Sequence, residues 1–351
     1  MDIIRSLGYD IFIGDDVALQ LPAQLSKYDR DQTVVLVDEN TQGDCLPLLE
    51  LFKNVSFLVL PSGERHKNME TATVVWDFLF ENRIGRKGLL VNLGGGVLSD
   101  IGAFCASVWN RGIDFVNLPT SLLSMVDASV GGKTGIDFHY AKNKIGTFSS
   151  PQAVFINPLF LRTLSQREMM SGFAEMIKHA IICNDLENFE RLQKLQSVNF
   201  QNVTPFIAGA VSIKNKIVMQ DPYEKNIRKI LNFGHTAGHA LESVSLQSDR
   251  PLLHGETIAM GMKVEIELAR RKGMLSKERA TLYTHFINRF YSNLILPKID
   301  FKQFMDFVKH DKKSQSGRFF FAFPDEKNGY AVDVPVNECE IEEALSCFNL
   351  I

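Results

Sequence analysis

The chain has 351 residues, 45% hydrophobic and 23% charged, and its 38 basic and 41 acidic side chains leave a formal net charge of -3. That size suits one large or two medium domains with buried cores, and the interspersed, nearly balanced charge excludes the electrostatic footprint of a nucleic-acid or anionic-membrane binder. No charge-free apolar run reaches the roughly 18 residues of a spanning helix, the start Met1-Asp2-Ile3-Ile4-Arg5 lacks a secretory pattern, and the five cysteines show no C-x-x-C spacing; a cytoplasmic protein without a thiolate zinc site is expected.

In chain order, short β-branched apolar runs at 33–37, 56–60 and 88–93 read as strands of a parallel sheet, with helical periods at 69–82 and 97–109 between or after them. Such alternation builds an α/β layer suited to a nucleotide. Gly94-Gly95-Gly96-Val97-Leu98-Ser99-Asp100 follows the third strand and opens a helix. Backbone N–H groups and the helix dipole hold phosphate in that context, although a tight turn that needs glycine for steric reasons has the same sequence. The dinucleotide fingerprint is incomplete, because Ser99 stands at its final glycine.

A second glycine cluster follows at 119–135, ending Val130-Gly131-Gly132-Lys133-Thr134-Gly135. It is not a P-loop, since the required first glycine of that motif is missing. With Lys142, Asn143 and Lys144 beyond it, this stretch reads as a basic loop, either solvated or a cradle for a phosphate monoester.

After Pro158 the pattern becomes helical, with amphipathic periods through 165–195, 203–220, 255–272 and 277–291. The expected architecture is an α/β domain with a parallel-sheet core over 1–157 and an all-helical domain over 158–351. Within the second lies Leu231-Asn232-Phe233-Gly234-His235-Thr236-Ala237-Gly238-His239-Ala240-Leu241-Glu242, followed by His254-Gly255-Glu256. On a helix, His235 and His239 share a face with Glu242. That arrangement suits either a metal or a hydrogen-bonded pair in a packed core. A catalytic zinc commonly takes three protein ligands and leaves a fourth position open, so a third His or a carboxylate is needed.

The succession Gly94-Gly95-Gly96-Val97-x-x-Asp100, Arg111-Gly112, Pro119-Thr120-Ser121-Leu122-Leu123, Val126-Asp127-x-Ser129-Val130-Gly131-Gly132-Lys133-Thr134-Gly135, Lys142-Asn143, Gly172-x-Ala174-Glu175-x-Ile177-Lys178, the His235/His239 segment and His254-Gly255-Glu256 resembles the 3-dehydroquinate synthase family over nearly the whole chain. The resemblance implies an NAD-binding α/β domain, a helical metal-binding domain, and closure of a carbocycle from a seven-carbon phosphorylated keto acid by transient oxidation, β-elimination of phosphate, reduction, ring opening and aldol closure. NAD and zinc, or cobalt in its place, are the implied cofactors, and a homodimer the implied assembly.

By the same resemblance, Glu175, His235 and His254 hold the metal, while His239 relays a proton without ligating it. Asp38, Glu64, Lys67, Gly95, Gly96, Val97, Asp100, Thr120, Ser121, Asp127 and Lys142 match the NAD contacts, Asp38 in a loose context where a strand-end carboxylate equally serves as a cap. Lys214, Arg228 and Asn232 match the positions that take the substrate carboxylate. Lys133, Lys142, Asn143 and Lys312, the last preferred over Lys313, match those for phosphate, with Arg111 reaching the phosphate of a neighbouring subunit. Catalytic roles are implied for His239, Lys133, Lys178, Glu224, Arg228 and Asn232; Glu175 with Lys178 and Glu224 with Arg228 have helical spacings that let each pair point into one cleft. Met125 stands where the family often has glutamine, and Phe173, Met176 and His179 also depart from the common pattern, but none removes a reacting group. The rival readings are other sugar-phosphate cyclases, metal-dependent polyol dehydrogenases, and a metal-stabilised binding protein without activity. The Lys142-Asn143, Arg228, Asn232 and His239 set suits a carboxylated phosphate substrate and favours the first-named family.

Overall fold

The computed structural model describes residues 1–139, 141–184, 186–246, 248–294, 299–311 and 318–351. The chain forms two compact units, one of Met1–Met169 with Asn199–Asn215 and the other of Met170–Val198 with Lys216–Ile351.

The first unit carries the strands β1 (Asp2–Arg5), β2 (Asp10–Ile13), β3 (Thr33–Asp38), β4 (Ser56–Leu60), β5 (Leu89–Gly94), β6 (Asp114–Pro119), β7 (Lys133–Phe138), β8 (Ala141–Phe148) and β9 (Ala153–Ile156). Among the described residues, seven of them pair in the order β1-β2-β9-β6-β5-β3-β4. All neighbours are parallel except β1 and β2. Val34, Val35, Leu36 and Val37 are buried along β3, as a continuous apolar strand must be when both sheet faces are covered. In the middle of the sheet, Asn92 of β5 donates from Nδ2 to Oδ1 of Asn117 on β6 at 2.9 Å, so the polar pair satisfies a bond where burial would otherwise penalise it.

The carboxyl ends of β6, β5 and β3, adjacent in the sheet, lead into the segments that begin at Thr120, Gly95 and Glu39. Binding residues of open parallel sheets collect at that edge. The basic stretch read as a loop is instead largely paired: β7 and β8 form an antiparallel hairpin, with Ile136 fully buried against the sheet helices.

In the second unit the principal helices are the part of Gln166–Ile182 from Met170 on, His235–Ser245, His254–Arg271, Lys277–Tyr291, Phe301–Asp311 and Glu338–Ser346. The amphipathic period expected through 165–195 is broken, because Asn184 takes a left-handed φ of 50° and the chain resumes as Leu186–Gln193. Asn tolerates that conformation better than most residues, and it terminates helices. The unit also contains a hairpin, β10 (Phe319–Asp325) with β11 (Gly329–Val336), whose Phe319, Phe321 and Phe323 alternate into the core. Among the described residues, no helix is long and apolar enough to cross a membrane.

Candidate active site

The second unit assembles a histidine cluster. The Gln166–Ile182 helix carries Glu175, fully buried, and His235 and His254 are each the first residue of their own helix. Nε2 of His235 and Nε2 of His254 both lie 3.6 Å from Oε1 of Glu175. Ligand atoms about 2.1 Å from a tetrahedral ion stand about 3.4 Å apart, so both distances to Glu175 suit zinc ligands, and the three ligand atoms all lie within 4.8 Å of one another. A carboxylate oxygen and two imidazole nitrogens are also the donor types that zinc accepts.

The remaining ring nitrogens fix the tautomers. His235 Nδ1 donates to the Phe233 carbonyl at 3.1 Å, and His254 Nδ1 donates to Oε2 of Glu242 at 3.2 Å. With the protons on Nδ1, the Nε2 lone pairs face Glu175, and a carboxylate behind a ligating histidine raises its basicity. Burial, followed by the nearby Lys178 ammonium, pushes His235 well below the ordinary imidazole range, which keeps it neutral, the form that binds metal. Lys178, itself buried, makes a close ion pair with Oε2 of Glu175. The His239 ring centroid is 5.2 Å from that of His235 and 5.8 Å from that of His254. A second, overlapping trio of His239, Glu242 and His254 also has ligand atoms within 4.8 Å, but its Glu242 carboxylate is already engaged by His254 Nδ1.

Just before this cluster, Glu224, Arg228 and Asn232 gather on the turn that leads into His235. Asn232 Nδ2 donates to Glu224 Oε1 at 2.8 Å, and Glu224 holds a left-handed φ of 56°. Asp221, unremarked in the sequence, organises this turn: its carboxylate accepts from the backbone N–H of Lys225 at 3.0 Å, Asn226 at 2.6 Å and Arg228 at 3.1 Å. Although burial works the other way, these three bonds hold the Asp221 carboxyl below its ordinary value. An Asp directly before a proline at a helix end was the available signal, since Asp side chains cap such turns.

In the first unit, Gly95 caps the helix Gly96–Val108 with no side-chain bond, and backbone N–H groups at such a helix start can hold an anion. Asp100 on that helix pairs with Lys67 at 2.5 Å, and Lys67 also donates to Asn143 Oδ1 at 2.6 Å. Burial disfavours the Lys67 ammonium, but Asp100, Glu64 and Asp137 outweigh it and hold Lys67 above its ordinary value. Asp137 accepts from the Asn143 N–H at 2.8 Å, supporting the left-handed Asn143 φ of 51°, and Lys142 pairs with Glu64 at 3.1 Å. Lys67, Asp100, Glu64, Lys142 and Asn143 are thus one polar network, and Asp137 is the member that sequence reasoning missed. Lys214 donates to the Asp127 carbonyl at 2.6 Å and pairs with its carboxylate at 3.0 Å. Asp127 lies in a π-helical turn, Ser124–Ala128, a form often found at functional sites.

Thr120 and Ser121 follow β6 directly. Asp38 ends β3, where its carboxylate accepts from the N–H groups of Asn40 and Thr41 at 2.9 and 2.8 Å, the work of a structural cap. Lys133 is exposed at the start of β7, and Arg111 is exposed with a φ of 70°. Lys312 and Lys313 lie outside the described residues.

Residues 57–171 match the family described as 3-dehydroquinate synthase N-terminal, and residues 172–314 its C-terminal counterpart. The chain is 36% identical to 3-dehydroquinate synthase of Parabacteroides distasonis over 343 residues, covering 96% of this chain and 97% of the relative. It is 38% identical to that of Helicobacter pylori, covering 92% and 91%. The fold is similar to 2-epi-5-epi-valiolone synthase of Streptomyces hygroscopicus with NAD+ and Zn2+ bound, at a TM-score of 0.85, 24% identity, and coverage of 99% and 98%. It is similar also to 2-deoxy-scyllo-inosose synthase complexed with carbaglucose-6-phosphate, NAD+ and Co2+, at a TM-score of 0.85, 20% identity, and coverage of 98% and 99%.

Proposed function

The chain belongs to the 3-dehydroquinate synthase family, and from that premise we infer how its residues divide the reaction. The activity is that of an NAD- and divalent-metal-dependent phosphate lyase of the shikimate pathway, converting 3-deoxy-D-arabino-heptulosonate 7-phosphate to 3-dehydroquinate and phosphate. The observation that carries the site assignment is the approach of both histidine Nε2 atoms to one oxygen of the buried Glu175. Glu175, His235 and His254 would hold the metal. When bound, the cation supplies Lewis acidity toward a substrate hydroxyl and NAD takes and returns a hydride.

The protein's own groups supply binding, orientation and proton transfer. His239, beside the ligand set but outside it, takes the proton from the hydroxyl at the oxidised carbon. Lys178 orients the Glu175 carboxylate through their ion pair. Lys214, Arg228 and Asn232 are assigned to the substrate carboxylate, with Glu224 holding Asn232 in place. Lys133, Lys142, Asn143 and Lys312 are assigned to the phosphate. A planar guanidinium such as Arg228 grips a carboxylate with two donors, and ammonium groups suit a phosphate as point charges. Fixing both ends of a flexible polyanion is itself a large part of the catalysis, because it removes the entropic cost of bringing reacting atoms together. Asp38, Glu64, Lys67, Gly95, Gly96, Val97, Asp100, Thr120, Ser121, Asp127 and Lys142 are assigned to NAD, a reading supported by their clustering at the carboxyl ends of β3, β5 and β6 and in the Lys67 network. A homodimer, in which Arg111 reaches a neighbour's phosphate, and a cytoplasmic location belong to the same proposal.

The test is a phosphate-release assay with the seven-carbon substrate. The expected outcome is phosphate and carbocycle formed in equal amounts with catalytic NAD and no net NADH. Accumulation of free NADH in step with turnover would instead identify a simple dehydrogenase.

A further inference from the structure

The helix that carries His235 begins without a cap of its own. Its N-cap residue is Gly234, in a left-handed conformation with φ 80°, and no side-chain cap bond is made. A Ser, Thr, Asp or Asn at that position would accept from the N–H of the second or third helical residue; glycine has nothing to accept with. The missing acceptor comes from another helix. Glu265, fully buried on His254–Arg271, accepts from the Gly234 N–H through Oε2 at 2.7 Å and from the Ala237 N–H through Oε1 at 3.1 Å.

We propose that Glu265 is a positioning residue of the metal site: its carboxylate clamps the head of the histidine helix and thereby fixes where His235 Nε2 points. The proposal rests on the ligand assignment above. His235 lies between the two clamped backbone groups, at the first helical position, so any tilt of that turn displaces its ring directly. The clamping helix opens with His254. One helix therefore supplies a ligand at its first residue and, farther along, the group that locates the other histidine. The two are set close together: a Cβ on Gly234 would lie 2.5 Å from Cγ of Met262, so glycine serves there both for its backbone angle and for the close approach.

A carboxylate at this depth is costly unless strong donors surround it, and the positive end of a helix offers both donors and a favourable field. The sequence held a signal for it: Glu265 falls on the apolar stripe of Ile258, Met262, Ile266 and Ala269, where a charge is out of place unless it has work to do.

The experiment measures zinc affinity by chelator competition, beside NAD titration, melting curves and far-UV circular dichroism. In Glu265→Gln the amide nitrogen must confront one of the two N–H donors. Zinc affinity of the folded protein is expected to fall roughly ten- to a hundredfold, the usual effect of losing an outer partner of a metal site, with NAD affinity unchanged. Glu265→Asp keeps the charge but is one methylene too short to span both donors, and a smaller loss is expected; it carries the test if the glutamine variant does not fold. Wild-type zinc affinity in a folded variant of lowered melting temperature would overturn the positioning role and leave a purely structural one. His235→Ala separates the two levels of the argument. If it loses zinc while Glu265→Gln keeps it, only the positioning role fails, whereas wild-type zinc affinity in His235→Ala would overturn the ligand assignment and the clamp together.

Discussion

His235 and His239 lie one helical turn apart with ring centroids 5.2 Å from each other, yet the proposed reading gives them different chemistry. His235 joins Glu175 and His254 in a group whose ligand atoms lie within 4.8 Å, and its Nδ1 is held by the Phe233 carbonyl. His235→Ala and His254→Ala are each expected to empty the metal site, because two remaining protein ligands hold zinc poorly. His239→Ala should keep zinc and NAD but lose roughly two to four powers of ten in turnover, the usual worth of a general acid or base. Metal content per subunit, read beside turnover for the three variants, decides the matter. Zinc loss in the His239 variant with retention in the His235 variant would shift the site to the overlapping His239, Glu242 and His254 trio. Glu242 illustrates what residue spacing could and could not convey. Helical spacing puts it on the histidine face, but the structure sets it against Nδ1 of His254, a contact across two helices that no periodicity encodes.

The spacing of the helices that carry Glu175 and His254 depends on contacts between backbones. Gly255, next to His254, donates its N–H to Oγ of Ser171 at 3.0 Å, and a Cβ on it would fall 1.9 Å from the Ser171 carbonyl oxygen. Ser171 stands one turn before Glu175 on its helix, so this contact bears on the separation of two of the three proposed ligands, Glu175 and His254. Gly255→Ala must push the helices apart. The expected cost is about 1–3 kcal/mol of stability, as for other overpacked sites, together with weaker zinc binding. Denaturant unfolding and zinc titration of the same variant check it; a destabilised variant with unchanged zinc affinity would show that the ligand spacing is set elsewhere. At this scale Phe301–Asp311 and Glu338–Ser346 were not read as helices, whereas the helices up to Tyr291 were legible from their period, and β3, β4 and β5 from their β-branched runs. The end of the first long period was not, because it depends on a left-handed Asn184; nor was the β7–β8 pairing, which glycine and lysine content masked as a loop.

For the whole molecule, the proposed site, built by three helices, exists only when they are folded, so on that reading metal binding and folding of the second unit are linked. A ligand that binds only the native state stabilises it by about 2.7 kcal/mol at a free concentration a hundred times its dissociation constant. Chelation of the metal should therefore lower the melting temperature, and titration back with zinc should restore it in a concentration-dependent way. Calorimetry of the metal-free and reloaded protein measures this, and a transition indifferent to zinc would mean that the native state has no preferential site. The same treatment of His235→Ala should leave its transition unmoved by zinc.

What the sequence determined by itself is local or compositional: the alternation that requires a parallel sheet, the glycine turn after β5, the histidine pair on one helical face, and the ordered motifs that mark the family. These are legible because hydrophobic period and backbone tolerance act over a few residues. What only the tertiary structure decided are relations between residues distant in the chain. Oε1 of Glu175 lies within 3.6 Å of Nε2 of both His235 and His254, Asp137 and Lys67 secure Asn143, and Asp221 and Glu265 cap the backbone turns that carry Arg228 and His235. A buried carboxylate is stable only where folding supplies its donors, and those donors belong to other segments of the chain; the sequence names the carboxylates, and the packing of helices and strands assigns them their partners.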